Sequence, residues 1–428
     1  MKKTLVLLAI FCLLVISSRE IDCKQAYGLY SGSIYSAEDL THLTPRRAID
    51  SIDFGFEYFS TYYSCGKHSL QDTSETYLRL IKSIDSIVII GATPLVICIL
   101  DDSLKYYSDG SLDSLMTVFL RKLSSYNIKI LISFGPEMNG YWFSYGQKPG
   151  LYKQAFKHFY EQVKAIDTNL KVCWVPNFAS GYPYPEGDQL LDPTKAYSDY
   201  YPGDDSVDYV GLNFYAKDYT RLDSVDIYFF DYCMSYLEYY QIYGKNHKII
   251  ISEASAFDPS NSVLDLATGR IPLTVAEQKK FQSGFLAGVI RMMKLYPKIE
   301  IFIFFHVMKV EDGFDELHKG DKKFGDIVFD FRLPFDVFKD ILLSVESTAN
   351  ITADLLVYPN PATDKMAIVS LDLALDQVKV FNEMGQLMIT KNTNDYYQQL
   401  ELSNLARGIY FLQIKRGHNL ETVKISLY

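Results

Sequence analysis

At 428 residues the chain is too long for one ordinary domain and suits a barrel of about 250–320 residues with a small companion. Lys+Arg 42 against Asp+Glu 52 gives a net charge of −10, which excludes counterion-release binding to nucleic acid and attachment to an anionic membrane, and leaves a neutral partner. Six cysteines, of which Cys12 lies in an apolar leader, form no disulfide framework.

Lys2 and Lys3, the apolar run Leu5–Ile16 and the small pair Ser17–Ser18 have the three-part layout of a secretory signal over residues 1–18, so the mature chain starts near Arg19. Glu20, Ile21 and Asp22 precede Cys23, where a lipid anchor would need small residues. No other stretch reaches the ~18 uninterrupted apolar residues of a membrane span.

From Gln25 to about Leu343 short apolar runs alternate with amphipathic stretches, the pattern of βα units around a parallel sheet. The predicted strands are Tyr27–Ser33, Ile52–Phe59, Pro94–Leu100, Ile128–Phe134, Leu170–Trp174, Val207–Asn213, Lys248–Ser252 and Ile299–Phe305. Several are apolar throughout, as suits strands covered on both faces. Leu112, Leu115, Met116, Phe119, Leu120 and Leu123 recur at helical spacing, as do Tyr152, Phe156, Phe159, Tyr160 and Val163 behind Pro149. Thr274 and Glu277 open a further helix as a capping box ahead of Phe281, Phe285 and Val289. With no Gly-rich phosphate turn after the first strand, the expectation is a (β/α)₈ TIM barrel over residues 19–345 rather than an open doubly wound sheet. Cys98, Cys173 and Cys233 read as buried small hydrophobes, and Cys23 and Cys65 as a pair that can bridge in an oxidising compartment. A short linker, 346–354, precedes a small all-β, sandwich-like domain over 355–428, marked by turns at Pro359-Asn-Pro361, Glu383-Met-Gly385 and Arg407-Gly408.

Barrel enzymes place reactive groups at the C-terminal ends of their strands, and two glutamates stand there. Glu137 follows the fourth apolar run and Glu253 follows Ile249-Ile-Ile-Ser252, the seventh. Paired carboxylates across one mouth are what glycosidic cleavage needs: one protonates the leaving oxygen and the other supports the oxocarbenium-like centre. The sequence has no His-Glu-x-x-His helix, no Cys-x-x-Cys and no Asp-rich calcium loop, so no metal or cofactor is expected. No Gly-x-Ser-x-Gly elbow argues for an esterase.

Around these glutamates the chain resembles glycoside hydrolase family 26. The resemblance lies in Pro136-Glu-Met-Asn-Gly140, Tyr141-Trp-Phe143, Tyr145-Gly146, Trp174-Val-Pro-Asn177, Tyr201-Pro-Gly-Asp204 and Val207-Asp-Tyr-Val-Gly211. It implies Glu137 as acid/base, Glu253 as nucleophile, Tyr215 as the tyrosine bonded to the nucleophile and Trp142 as a sugar-stacking residue. Asn139, Trp174 and Tyr145 fall within the same segments and count as substrate contacts. His306, closing the last predicted strand, offers a polar one. The family's histidine before the acid/base is replaced by Pro136, which has no side-chain donor, so mannan specificity does not carry over. In the tail, Val357-Tyr-Pro-Asn-Pro361, Val378-Lys-Val-Phe381, Gly385-Gln386, Leu402-Ser-Asn-Leu405, Gly408-Ile-Tyr-Phe411 and Val423-Lys-Ile425 resemble the C-terminal sorting domain of the type IX secretion system of Bacteroidetes.

The reading that results is a secreted or surface-attached retaining endo-β-glycanase, with mannan, mixed-linkage β-glucan and β-xylan all admissible, and with the type IX machinery as its other partner. Two alternatives stay open: a catalytically silent glycan-binding protein on the same barrel, and a surface adhesin that uses the barrel as scaffold.

Overall fold

The computed structural model describes residues 25–30, 44–52, 54–140, 142–177, 197–216, 242–256, most of 282–314, 323–330, 333, 335 and, from 350 onward, all but a few positions. The leader, Cys23, Cys233, Thr274 and Glu277 lie outside the described residues.

Eight parallel strands close into a barrel in chain order. They are β1 (Ala26–Tyr30), β2 (Tyr58–Ser64), β3 (Thr93–Ile99), β4 (Ile130–Phe134), β5 (Leu170–Trp174), β6 (Tyr209–Ala216), β7 (Lys248–Ala256) and β8 (Ile299–Phe305). Between them run α1 (Pro45–Ile52), α2 (Glu75–Ile89), α3 (Leu104–Ser108), α4 (Asp113–Ser124) and α5 (Pro149–Ile166). Ser74 caps α2 by accepting from the Tyr77 amide, and Pro149 opens α5 where a missing N–H costs nothing.

Alternation along each strand divides the apolar residues into two layers. Leu95, Ile97, Leu131, Cys173, Val175, Tyr209, Ile250, Ile301 and Ile303 fill the barrel interior. Their neighbours Val96, Cys98, Ile130, Ile132, Phe134, Val172, Trp174, Val210 and Leu212 face the helices. Gly211 is required inside: a Cβ there would lie 2.6 Å from the Ile250 carbonyl oxygen.

The second strand differs from its expected position. Ile52 ends α1, and the strand is Tyr58-Phe-Ser-Thr-Tyr-Tyr-Ser64. Its interior-facing positions carry tyrosine and serine, so it lacks the unbroken apolar run that marks its neighbours. Cys65, offered by the sequence as a partner for Cys23, is a free buried thiol hydrogen-bonded with Cys98.

At the N-terminal end of the barrel Glu300 gathers Lys248, Lys129 (3.6 Å) and the Tyr209 hydroxyl (2.7 Å) from four strands or their approaches. Burial alone would raise the Glu300 carboxyl, but the bonds from Lys248 and Tyr209 outweigh it and hold the pKa below its ordinary 4.5.

Past β8 an antiparallel pair follows, β9 (Met308–Phe314) and β10 (Lys323–Asp330), which the sequence pattern does not announce. The tail is two four-stranded antiparallel sheets, ordered β11-β12-β13-β16 and β15-β14-β17-β18. These strands are β11 (Asn350–Thr352), β12 (Leu355–Tyr358), β13 (Lys365–Ser370), β14 (Leu375–Asn382), β15 (Leu387–Asp395), β16 (Tyr397–Glu401), β17 (Gly408–Arg416) and β18 (Asn419–Leu427). Leu355, Val357, Met366, Ile368, Val378, Val380, Leu412 and Ile425 form its core, so this is the sandwich the turn spacing predicts. β11 lies inside the stretch read as linker and pairs with β12.

Candidate active site

The chain leaves β4 through two left-handed residues. Gly135 has φ +55°, and its amide donates to the Cys98 carbonyl at 2.9 Å. A Cβ at Gly135 would approach Leu100 Cδ1 to 2.9 Å, so a larger residue would have to displace that side chain as well as adopt a strained backbone. The proline that follows does not hold it in extended geometry. Glu137 is also left-handed, with φ +56°, a strained conformation for a residue with a side chain. It is held by its amide, which donates to the Val175 carbonyl at 2.8 Å across to the end of β5.

Three N–H groups converge on the Glu137 carboxylate. Asn177 Nδ2 at 2.9 Å and Asn213 Nδ2 at 3.1 Å donate to Oε1, and Trp142 Nε1 donates to Oε2 at 2.8 Å. The indole is 37% exposed and folds back over Gly140, where any side chain would collide with the ring. Gly146 in turn abuts the Gly140 carbonyl, so both glycines are set by this tight loop. Neither asparagine stands out as a site residue in the sequence. Asn177 closes the segment Trp174-Val-Pro-Asn177 and Asn213 ends the sixth predicted strand, and those placements are the only signal either gives.

Glu253 sits within β7, which continues to Ala256 instead of ending at Ser252. The register of β7 shifts against β6 between Leu212 and Asn213, and against β8 between Ile251 and Ala254. Such a bulge re-aims side chains. Before it Ile249 and Ile251 face the helices; after it Ala254 and Ala256 do, which leaves Glu253 on the inner side. Glu253 is 5% exposed and accepts from the Tyr215 hydroxyl at 2.9 Å. Asn213 is its register partner on β6, accepts from Ser252 Oγ at 2.6 Å and donates to Glu137. One asparagine therefore stands between the two acids at the same barrel end.

Four of the expected substrate contacts occupy other positions. Trp174 is fully buried in the outer layer against Tyr201 (4.9 Å) and Tyr243 (5.3 Å), because its neighbours Cys173 and Val175 take the inward positions. Asn139 is buried and spends its amide on the Asn177 backbone, donating to the carbonyl and accepting from the amide at 2.8 Å each. Tyr145 is buried and donates to the Pro136 carbonyl at 2.8 Å; burial, then the Glu137 charge, pushes its hydroxyl pKa well up. His306 is half-buried, and its Nδ1 accepts from the Leu333 amide at 3.0 Å, latching that segment to β8. Trp142 and Tyr215 are at the mouth, each bonded to a glutamate. Among the described residues no group of three or more His, Cys, Asp or Glu side chains is placed to hold a metal ion.

Residues 102–249 match the family model described as glycosyl hydrolase family 26, a stretch that includes Glu137, Trp142, Asn177, Asn213 and Tyr215 and stops before Glu253. Residues 356–427 match the secretion system C-terminal sorting domain. Among solved structures, a double mutant of the Cellulomonas fimi endo-beta-1,4-mannanase is 13% identical with a TM-score of 0.47, the alignment covering 95% of this chain and 94% of that one. The GH26 beta-mannanase of Bacteroides ovatus is 12% identical with a TM-score of 0.43, covering 76% and 88%. Beta-glucuronidase 2 of Bacteroides uniformis is 14% identical with a TM-score of 0.42, covering 95% and 46%. No curated protein matches the chain.

Proposed function

We propose that this chain, in which residues 102–249 match a glycosyl hydrolase family 26 model and residues 356–427 a secretion system C-terminal sorting domain, is a glycoside hydrolase delivered by type IX secretion to the cell surface or medium and performs retaining endo-hydrolysis of a neutral β-linked polysaccharide. Glu253 is the nucleophile: it attacks the anomeric carbon and forms a glycosyl-enzyme. Glu137 is the acid/base, giving a proton to the departing glycosidic oxygen and then taking one from the water that releases the sugar. Oε2 is the oxygen that carries the proton, since Oε1 is fixed by two amides while Oε2 meets only one donor of the three, the half-exposed indole of Trp142.

The observation that carries this reading is Asn213, which pairs in register with Glu253 and bonds Glu137. Asn213 reaches Glu137 at 3.1 Å from the strand position beside Glu253, and two acids brought close through one side chain suit a retaining mechanism, whose carboxylates stand about 5–5.5 Å apart. Mannan, mixed-linkage β-glucan and β-xylan are the candidate substrates. Pro136 gives the neighbouring subsite only a carbonyl, already engaged by Tyr145, and this weighs against mannan as the best substrate. It also favours a second reading, a silent glycan-binding barrel.

Alanine variants of the two acids separate these readings. Glu253→Ala abolishes turnover on every substrate. Glu137→Ala loses polysaccharide hydrolysis, where acid/base assistance is worth ~10²–10⁴-fold, yet keeps first-step cleavage of an activated aryl glycoside and is accelerated by azide. Binding without hydrolysis by the wild type across the three polysaccharides selects the silent barrel, and an inverted anomeric product from the wild type rules out retention.

A further inference from the structure

Past Phe134 the chain turns out of β4: Gly135 and Glu137 are left-handed, and the Gly140 N–H bonds back to the Glu137 carbonyl at 2.9 Å. The end of β5 thereby loses a strand neighbour, and one side chain takes its place. Asn139 is 2% exposed, and its amide donates to the Asn177 carbonyl and accepts from the Asn177 N–H, both at 2.8 Å. A carboxamide carries the donor and the acceptor of a peptide group, so Asn139 engages this backbone as a peptide group would. On its other side Asn177 is bridged to Asn213, whose N–H donates to the Pro176 carbonyl at 3.1 Å, and Asn213 is the register partner of Glu253. A single row therefore runs Asn139, Asn177, Asn213, Glu253, from the loop behind one acid to the other acid.

We propose that Asn139 is a positioning residue for the acid/base, acting through Asn177. The proposal rests on the assignment of Glu137 as acid/base. Asn177 Nδ2 donates to Glu137 Oε1 at 2.9 Å, and the backbone that carries this side chain is held by Asn139 on one side and by Asn213 on the other. Without Asn139 one side of that backbone is released, and the direction of the Asn177 amide is no longer fixed. A proton donor that must meet one oxygen of the substrate loses rate when it is misplaced by even a fraction of an ångström. The other bonds of the loop, Gln147 N–H to the Met138 carbonyl and the Tyr145 hydroxyl to the Pro136 carbonyl, both at 2.8 Å, tie it to itself; Asn139 ties it to the end of β5. Asparagine is the side chain this position requires: aspartate has the acceptor without the donor, and glutamine has both on a stem one methylene longer.

The test uses the purified full chain as wild type, Asn139→Ala, Asn139→Asp, Asn177→Ala, the double alanine variant and Glu137→Ala. Each is assayed for kcat/KM on the polysaccharide cleaved fastest and on a dinitrophenyl glycoside of its sugar, and for oligosaccharide affinity by calorimetry. Dinitrophenolate leaves with little protonation, so kcat/KM on the aryl glycoside reports the first step without the acid. Asn139→Ala should lower polysaccharide kcat/KM by about tenfold or more, carried by kcat, and fall short of the loss in Glu137→Ala. The aryl glycoside should be cleaved at a nearly unchanged kcat/KM, a selectivity that loosened packing alone would not produce, and oligosaccharide affinity should hold. The double variant should lose no more than Asn177→Ala, because one residue acts through the other. If Asn139→Ala does not fold, Asn139→Asp, which keeps the size and the acceptor, should show the same selective loss. With Glu137→Ala itself selectively impaired, four outcomes overturn the proposal and leave the acid/base assignment standing: no loss in the Asn139 variants, equal losses on the two substrates, a fall explained by weaker oligosaccharide binding, or additive losses in the double variant. A Glu137→Ala enzyme that hydrolyses polysaccharide at the wild-type rate overturns both.

Discussion

Asn213 is the residue on which two jobs fall at once. Its Nδ2 donates to Glu137 and its Oδ1 accepts from the hydroxyl of Ser252, whose side chain is wholly buried. Asn213→Ala should therefore lose catalysis and stability together: a hydrogen bond to a charged group is worth about 1.5–3 kcal/mol, and an orphaned buried hydroxyl costs about 1–3 kcal/mol. Kinetics and thermal denaturation read the two losses separately. The double variant with Ser252→Ala should regain part of the stability and none of the rate; recovery of both would mean that the Glu137 contact is idle. At this scale the sequence conveys the residue types of the site better than their orientation. Strand-end position points to Glu137 and Glu253, but nothing in the string Val172-Cys-Trp-Val175 says that the tryptophan faces the helices. Asn139 and Tyr145 look like sugar contacts for the same reason. A polar side chain that satisfies a neighbouring backbone reads the same in sequence as one that meets a ligand.

At the scale of the element the site depends on a local break in regularity. An unbroken β7 would keep one alternation from Lys248 to Ala256, and with Ile249 and Ile251 outward Glu253 would point at the helices. The bulge reverses the phase at Ser252–Glu253 and carries the acid to the interior. Gly211 lets β6 and β7 approach just before that point, so Gly211→Ala, with a Cβ 2.6 Å from the Ile250 oxygen, forces the strands apart. Overpacking of this kind costs typically 1–3 kcal/mol, and here activity should fall further than stability because the displaced register includes Asn213 and Glu253. A Gly211→Ala enzyme with full activity and an unchanged melting temperature would show that the contact relaxes freely. The bulge has no signature in Ile249-Ile-Ile-Ser-Glu253, since it arises from pairing with β6 and β8. β3, β5 and β8 are plain in the sequence because both of their faces are covered by apolar layers. β2 is not, because tyrosines serve its inner face.

For the whole molecule, the barrel closes its N-terminal end with charge and the tail stands on a core of its own. Glu300 has a folded pKa below its ordinary 4.5, so its contribution to stability is fully present above that value and is lost as the pH falls through the folded pKa. Melting temperatures of wild type and Glu300→Gln should differ at neutral pH and converge once the pH has fallen through the lowered folded pKa. A gap that stays constant down to acid pH would exclude the ionic cluster as its source. The tail core, from Leu355 to Leu427, shares no residue with the barrel clusters. A chain ending before residue 350 should keep a folded, active barrel and, in a host with a working type IX system, accumulate in the periplasm; normal delivery of the truncated chain to the surface or medium would remove the sorting role from this segment. No described helix is long and apolar enough to cross a membrane.

The chain holds only two tryptophans, and the fold separates them completely: Trp174 is sealed between barrel and helices, while Trp142 lies 37% exposed on the Glu137 carboxylate. The protein thus carries two intrinsic optical reporters with different subjects. Emission from Trp174 follows the integrity of the barrel and is shielded from an aqueous quencher such as acrylamide. Emission from Trp142 follows the occupancy and charge of the acid beside it. In a Trp174→Phe background the remaining signal should be open to quencher in the free protein and protected by a bound oligosaccharide, so that the sugar specificity left open by Pro136 can be read by light, without turnover.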